Sequence, residues 1–142
     1  MSQTPIPIAV RRQVEADARQ QCGYCQCQLE LMGMEMLVDH IWPESHGGRT
    51  IRANLWLACN KCNEFKSNHT HGEDPRTGRK VRLFNPRRQV WSQHFRWIDG
   101  GLTIEGLTPT GRATVAKLKL NREIRVVARR NWLLTGKHPP RE

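Results

Sequence analysis

Two closely spaced cysteine pairs constrain this sequence more than any other feature. They are Cys22 with Cys25 and Cys59 with Cys62, and 33 residues separate Cys25 from Cys59. Each pair presents two thiols from one tight turn, and two such pairs form the tetrahedral four-sulfur set that suits zinc. We therefore predict a four-cysteine zinc knot, structural because four thiolates leave no open position on the metal. The long separation indicates that a folded segment lies between the pairs.

The remaining cysteine and the N-terminal sequence indicate the cellular compartment. Cys27 could replace Cys25 as a zinc ligand, but a spare thiol is the simpler interpretation. An odd total of five cysteines argues against a fully paired disulfide framework. The N-terminal residues lack the apolar run of a secretion signal, and no stretch has transmembrane length. We therefore expect a cytoplasmic protein without a membrane partner, whose cysteines stay reduced.

Positive charge is concentrated in the second half of the chain. The net charge is +10; residues 76–142 contain sixteen Lys and Arg against four Asp and Glu, whereas residues 1–75 contain seven against nine. Such an asymmetry is typical of proteins that bind polyanions, although a merely solvated basic surface is the alternative. We expect a core at residues 1–75, with a preceding helix and the cysteine pairs, and a basic extension at residues 76–142 packed on it.

The hydrophobic pattern predicts helices and strands in both halves. In the first half we expect a helix at residues 8–21, strands at about 34–41 and 54–58, and a helix at about 60–67. The polar residues 69–79 are predicted to form a loop. Trp91, Phe95 and Trp97, followed by Gly100 and Gly101, indicate a β-hairpin. Thr108 is expected to cap a helix that extends to about residue 120.

The last predicted helix, residues 122–134, has a basic face and an apolar face. Asn121 is expected to cap it and Gly136 to end it. By their spacing, Arg122, Arg125 and Arg129 share one face. The roughly opposite face contains Ile124, Val127, Ala128 and Leu134. We expect the apolar face to pack inward and the arginines to follow a nucleic-acid backbone; a solvated face is the alternative.

Polar residues between and after the cysteine pairs have the chemistry that phosphodiester hydrolysis needs. The reaction needs a base to activate water and a cation to stabilise charge on the phosphate. His40 suits the base, because imidazole groups titrate near neutral pH, and Asp39 suits a hard cation such as Mg²⁺. A twist or bulge must bring these adjacent strand residues together. Asn63 offers a neutral oxygen ligand, and Lys66, on the same helix face, a charge for phosphate.

Three stretches together carry a family resemblance. They are CGYC, LVDHIWPESHGG and NLWLACNKCNEFK, within about residues 20–68. This joint pattern resembles the HNH endonuclease family in its zinc-containing form. The resemblance implies an α+β protein with a ββα-metal (His-Me finger) core and a four-cysteine zinc knot, to which the chain adds a C-terminal β-hairpin and helices. One position departs from the family signature: the third residue, often histidine, is Asn63, as in the HNH domains of CRISPR effector nucleases.

The resemblance also implies residue roles. It makes His40 the general base, Asp39 and Asn63 ligands of a catalytic Mg²⁺ or Mn²⁺, and Asn54 the residue that braces the loop and positions the histidine. The implied structural zinc ligands are Cys22, Cys25, Cys59 and Cys62. The implied activity is hydrolysis of DNA, with duplex DNA as partner and one strand cut per active site. A non-catalytic zinc-stabilised nucleic-acid-binding module and an RNA-directed nuclease are the alternatives.

Overall fold

A computed structural model describes residues 4–141, which form two units. The first unit contains the described residues up to Thr70 together with Asn85–Gln89. The second contains His71–Phe84 and the described residues from Val90 onward. Within these residues, helices accompany three two-stranded antiparallel sheets, which confirms the predicted α+β class. None of the helices in residues 4–141 is both long and apolar enough to cross a membrane.

The first unit begins with helix α1 (Ile8–Asp17), which is followed by the short helix α2 (Leu29–Met32). Pro7 precedes α1, and Val14 is its fully buried residue. The predicted helix extended to residue 21, but α1 ends earlier because the backbone turns into the left-handed region. Arg19 and Gln20 there have φ angles of 54° and 57°.

Two strands and a helix form the predicted ββα core. Strand β1 (Leu37–His40) pairs antiparallel with β2 (Leu55–Ala58), and α3 (Asn60–Lys66) follows directly and packs on β1. The register places Asp39 opposite Trp56 and continues regularly to His40. The pairing therefore contains no bulge, although one was a possible means of bringing Asp39 and His40 together.

An acidic residue at the end of α1 fastens distant segments of the first unit. Asp17 accepts hydrogen bonds from Arg52 at 2.9 and 2.7 Å and from Arg87 at 2.9 Å. The hydrogen bond from Arg52, with help from Arg87, lowers the pKa of Asp17 to about 2. Arg87 also donates to the Leu55 carbonyl at 3.1 Å and lies over the Trp56 ring at 4.8 Å. These contacts explain why Asn85–Gln89 belongs to the first unit.

The second unit contains a hairpin where a loop was predicted. Strand β3 (His71–Glu73) pairs with β4 (Lys80–Arg82); β3 and the turn lie within the polar segment assigned to a loop at residues 69–79, and β4 begins directly after it. Asp74, fully buried, accepts hydrogen bonds from the Thr77 hydroxyl at 2.9 Å and from Arg112 at 2.9 and 3.0 Å. The Arg112 guanidinium holds the pKa of Asp74 well below its usual range. A distant ion pair therefore stabilises a turn whose polar sequence indicated only a loop.

The predicted C-terminal hairpin and the helix after it are confirmed, except that Trp91, expected in the period-2 pattern of the hairpin, lies in a short helix before it. The short helix α4 (Trp91–His94) leads into β5 (Phe95–Ile98), which pairs with β6 (Thr103–Gly106). Helix α5 (Pro109–Lys117) follows. The Thr108 hydroxyl accepts a hydrogen bond from the Gly111 amide at 3.0 Å, which is the capping contact the sequence predicted.

The faces of the last helix are the reverse of those predicted. Helix α6 extends over Glu123–Leu133. Arg125 and Arg129 are buried, with Arg129 at 0% exposure, whereas Ile124 is 69% and Leu134 86% exposed. The expected outward row of arginines is therefore wrong for these two residues; Arg122, the N-cap, is half-buried.

Hydrogen bonds to carbonyl groups explain why Arg129 can be buried. Its guanidinium donates to the carbonyls of Leu102 at 2.9 Å and Leu120 at 2.6 Å, and to Asn121 Oδ1 at 3.1 Å. It also lies 5.2 Å from the centre of the Trp97 ring. Such contacts offset the loss of hydration. Asn121, predicted as a helix cap, instead bonds both backbone groups of Ile104 at 2.7 Å.

Replacing Arg129 with alanine should destabilise the protein far more than replacing Ile124 with serine. Arg129→Ala leaves several buried acceptors without their donor, and we expect a loss on the order of 3 kcal/mol in the free energy of unfolding. Ile124→Ser alters an exposed side chain, so the change should stay below about 0.5 kcal/mol. Urea denaturation followed by circular dichroism measures both. A larger loss for Ile124→Ser would contradict the observed faces of α6.

Candidate active site

Four cysteines meet in the first unit. The sulfur atoms of Cys22, Cys25, Cys59 and Cys62 all lie within 4.8 Å of one another, and all four residues are buried. Cys25 Sγ and Cys59 Sγ are 3.8 Å apart, which matches the tetrahedron edge of about 3.8 Å that a Zn–S bond of about 2.3 Å produces. The cluster therefore fits the predicted zinc knot.

Cys27 is not one of the four mutually close sulfurs, although its thiol interacts with those of Cys22, Cys25 and Cys59. Its backbone carbonyl accepts a hydrogen bond from the Cys22 amide at 2.9 Å, so the residue helps to close the turn that carries the first pair. Its side chain is nevertheless buried. All five cysteines lie in the described part of the chain, and each is a free thiol there.

A cleft of about 650 Å³ lies beside β1 in the first unit. Its lining includes Asp39 and His40 from β1, Glu44 from the loop after it, and Asn63 from α3. The structure thus brings the predicted base and both predicted ligands of the catalytic cation to one cleft. Arg11 of α1 also lines it, a basic residue that the sequence analysis did not single out.

Asp39 is held by two partners in the wall of the cleft. The Tyr24 hydroxyl donates to its Oδ2 at 2.8 Å, and Lys66 Nζ lies 3.3 Å from Oδ1 and 3.2 Å from Oδ2. Lys66 Nζ also donates to the His40 carbonyl at 3.0 Å. Burial raises the pKa of Asp39, against the opposing effects of Lys66 and Tyr24. Tyr24 was missed by the sequence analysis, although a tyrosine between two clustered cysteines is a signal of burial.

Lys66 does not have the surface position that the predicted phosphate contact requires. Its side chain is 2% exposed, and Asp39 is 4% exposed. Because the Lys66 ammonium group neutralises a buried carboxylate and binds a carbonyl, it acts here as an internal counter-ion. The expected role as a nucleic-acid contact does not fit this placement.

The His40 ring is bonded on one side. Its Nε2 atom lies 2.8 Å from Thr50 Oγ1 and 3.3 Å from Glu44 Oε1, and the Thr50 hydroxyl donates to Glu44 Oε1 at 2.7 Å. The Nδ1 atom is buried and has no hydrogen-bond partner among the residues that the structure describes. Neither Thr50 nor Glu44 was among the predicted site residues. The contact between Thr50 and Glu44 spans six residues of an irregular loop, and that between Thr50 and His40 spans ten.

Asn54 connects both sides of the loop between β1 and β2. Its Oδ1 accepts a hydrogen bond from the Trp42 amide at 2.8 Å, and its Nδ2 donates to the carbonyls of Trp42 and Arg49 at 2.9 Å. The Asn54 carbonyl accepts from the Ile41 amide at 2.8 Å. The Asn54 side chain therefore fixes the conformation of the loop that connects β1 with β2.

Comparison with known proteins gives the family of this segment. Residues 22–69, about a third of the chain, match the family described as HNH endonuclease. This segment belongs to the HNH endonuclease family. The chain is also similar to the Septu protein PtuB of Bacillus thuringiensis, 28% identical over 108 residues, an alignment that covers 75% of this chain and 38% of that protein. The chain thus aligns with well under half of that relative's length. None of the solved structures matches the chain significantly.

The HNH segment and the predicted basic residues lie largely apart in the chain. Lys66, the one predicted nucleic-acid contact within the segment, is buried. Arg122, Arg125 and Arg129 belong to the second unit, where the last two are also buried. Arg11, which lines the HNH cleft, is half-buried and lies 3.6 Å from Glu15.

Removing one ligand of the four-sulfur cluster should abolish metal binding, whereas removing Cys27 should not. Cys22→Ser deletes one of four convergent thiols, so we expect loss of bound zinc and a lower unfolding temperature. Cys27→Ser is the matched control and should retain the zinc content of the native protein. Elemental analysis by mass spectrometry and a thermal melt measure both properties. Loss of zinc from Cys27→Ser alone would show that Cys27 is a ligand.

Replacing Lys66 with methionine should destabilise the protein, because it leaves the Asp39 carboxylate buried without its counter-ion. We expect a loss of about 3–5 kcal/mol in the free energy of unfolding. Lys61→Met on the same helix is the matched control: Lys61 pairs with Glu64 at 3.1 Å on the surface, and its loss should cost less than about 0.5 kcal/mol. Chemical denaturation measures both variants. A negligible effect of Lys66→Met would contradict the buried ion pair.

Proposed function

We propose that this protein is a metal-dependent endonuclease that hydrolyses DNA phosphodiester bonds and cuts one strand per active site. One observation carries the proposal: His40, Asp39 and Asn63 line the same cleft within a segment of the HNH endonuclease family. These residues supply a base and two oxygen ligands, which are the groups that metal-assisted phosphodiester hydrolysis needs. The cleft of about 650 Å³ offers room for a length of nucleic-acid backbone.

The donor atoms in the cleft suit a hard divalent cation. Asp39 provides a carboxylate and Asn63 an amide oxygen, and Mg²⁺ and Mn²⁺ prefer such oxygen ligands. When bound, such a cation stabilises charge on the phosphate and on the leaving oxygen. Lys66 already lies 3.2 Å from the Asp39 carboxylate. Because the positive charge of Lys66 repels a divalent cation at Asp39, we expect the cation to bind weakly.

The residues of the chain perform the remaining steps. His40 accepts the proton of a water molecule as the water oxygen bonds to phosphorus. The bond from phosphorus to the 3′ oxygen breaks on the opposite side, and the 3′ oxygen leaves with the electron pair. Tyr24 and Lys66 hold the Asp39 carboxylate in place, and Asn54 holds the loop that faces His40. One such constellation attacks one strand, so a single turnover nicks duplex DNA.

The HNH family implies nucleic acid as the substrate class, and we propose DNA as the substrate. The net charge of +10 favours association with a polyanion at low salt. The four cysteines are proposed to bind structural zinc. We place the protein in the cytoplasm, because a site of four thiols suits a reducing compartment.

A supercoiled-plasmid assay with Mg²⁺ or Mn²⁺ tests the proposal. The native protein should convert supercoiled plasmid to open circles, and His40→Ala should lower the rate by about 10²- to 10⁴-fold, the usual contribution of a general base. His69→Ala removes an exposed histidine of the same unit and is the matched control, with an unchanged rate. Zinc content, measured on each variant, must stay constant for the comparison to hold.

Other outcomes of the assay favour the alternatives. Plasmid that stays intact with every cation tested, but shifts on a gel, would contradict cleavage of DNA and favour a nucleic-acid-binding module. Cleavage of an RNA duplex or single strand, with DNA left intact, would favour an RNA-directed nuclease. Cleavage that His40→Ala leaves unchanged would reject His40 as the base.

A further inference from the structure

We propose that Thr50 and Glu44 form a hydrogen-bonded relay that fixes the ring orientation and neutral tautomer of His40, so that Nδ1 is the atom that accepts the proton. The inference deepens the proposed function and rests on it where activity is concerned. Both residues act through His40, so they are positioning residues. The relay is defined by the contacts of Glu44 Oε1, Thr50 Oγ1 and His40 Nε2.

Counting hydrogen atoms assigns the tautomer. A threonine hydroxyl has one hydrogen, and that of Thr50 is directed to Glu44 Oε1 at 2.7 Å. An ionised carboxylate can only accept. Thr50 Oγ1 must therefore accept at its 2.8 Å contact with His40 Nε2, and Nε2 must carry the hydrogen. In a neutral imidazole the lone pair then belongs to Nδ1.

The surroundings of Nδ1 agree with this assignment. Nδ1 is buried and has no hydrogen-bond partner among residues 4–141, although burying a polar atom without a partner costs free energy. His40 is among the residues that line the cleft, together with Asp39 and Asn63. A lone pair that no protein donor occupies, on a residue at the cleft, can accept a proton once substrate and water reach it.

The relay also determines which way the ring faces. Rotating the imidazole by half a turn about its Cβ–Cγ bond would replace Nε2 with a carbon atom at Thr50 Oγ1. The hydrogen bond to Thr50 would be lost, and Nδ1 would exchange places with another carbon atom. The 2.8 Å bond therefore distinguishes the two orientations, as a partner on the second nitrogen does for a histidine that binds a metal.

The loop conformation supplies both members of the relay. Glu44 begins a single helical turn, Glu44–His46, and Thr50 lies next to Arg49, whose carbonyl accepts from Asn54 at 2.9 Å. Asn54 also binds both backbone groups of Trp42. Asn54 thus fastens the chain on both sides of the relay, which explains how one asparagine can influence the histidine without contacting it.

Two variants of Thr50 and one of Glu44 separate positioning from simple stability. Thr50→Val keeps the shape but removes the hydroxyl, and kcat for nicking should fall by about 10- to 100-fold, the range typical of lost ligand-orienting partners, while KM changes little. Thr50→Ser restores the hydroxyl and should restore most of kcat. Glu44→Gln should lower kcat as well, because an amide can donate to Thr50 Oγ1 as well as accept from it, so the tautomer is no longer fixed.

Nuclear magnetic resonance of the His40 ring nitrogens reads the tautomer without any need for activity. Two-bond proton–nitrogen spectra of the native protein, at a pH where the ring is neutral, should show the Nε2–H form; Thr50→Val should show a mixture. An Nδ1–H form in the native protein would overturn the relay, as would an unchanged kcat in a folded, zinc-containing Thr50→Val. The Nε2–H form in a protein that cuts no nucleic acid would support the relay while rejecting the proposed nuclease.

Discussion

The four-sulfur cluster is the constraint on which the rest of the HNH segment depends. It joins the turn after α1 to the N-terminus of α3, and both of these segments carry groups that contact Asp39. Tyr24 lies between Cys22 and Cys25, and its hydroxyl reaches Oδ2 of Asp39 at 2.8 Å. Cys62 belongs to α3 and precedes Lys66 by one helical turn. The ammonium group of Lys66 lies against the same carboxylate. A cluster that has no chemical step of its own therefore determines the surroundings of the carboxylate that faces the cleft.

Burial of charge is the second theme of the structure, and it occurs in both units. Lys66 in the first and Arg129 in the second are almost completely enclosed, and each is stabilised by carbonyl oxygens of the backbone. The cost of removing such groups from water is offset only when their donors are satisfied with good geometry. Part of the large positive charge of this chain is thus used for internal structure. A count of basic residues overestimates the surface available to nucleic acid.

The features that depend on local spacing could be predicted from the sequence. The cysteine pairs, the strand–strand–helix order between them, the C-terminal hairpin and the cap at Thr108 all follow from patterns within a few residues. The failures involve contacts between distant residues. The β3–β4 hairpin contains Asp74, which is paired with Arg112 far along the chain. The periodicity of α6 showed two faces, but which face is buried depends on carbonyls supplied by Leu102 and other residues outside the helix.

In the candidate site, too, contacts between distant residues were not predicted from the sequence. These contacts hold the base and the carboxylate separately. Asp39 and His40 are neighbours on β1, yet their side chains bind different parts of the chain. Groups tied to the cysteine cluster hold Asp39, whereas the loop that Asn54 braces holds His40 through Thr50. Lys66 also binds the His40 backbone carbonyl, but the His40 ring is held from the loop. A change in the loop can therefore disturb the base while the carboxylate keeps its partners. The position of a histidine ring that an irregular loop holds depends on contacts that fix the loop, and the three hydrogen bonds of the Asn54 side chain supply such contacts.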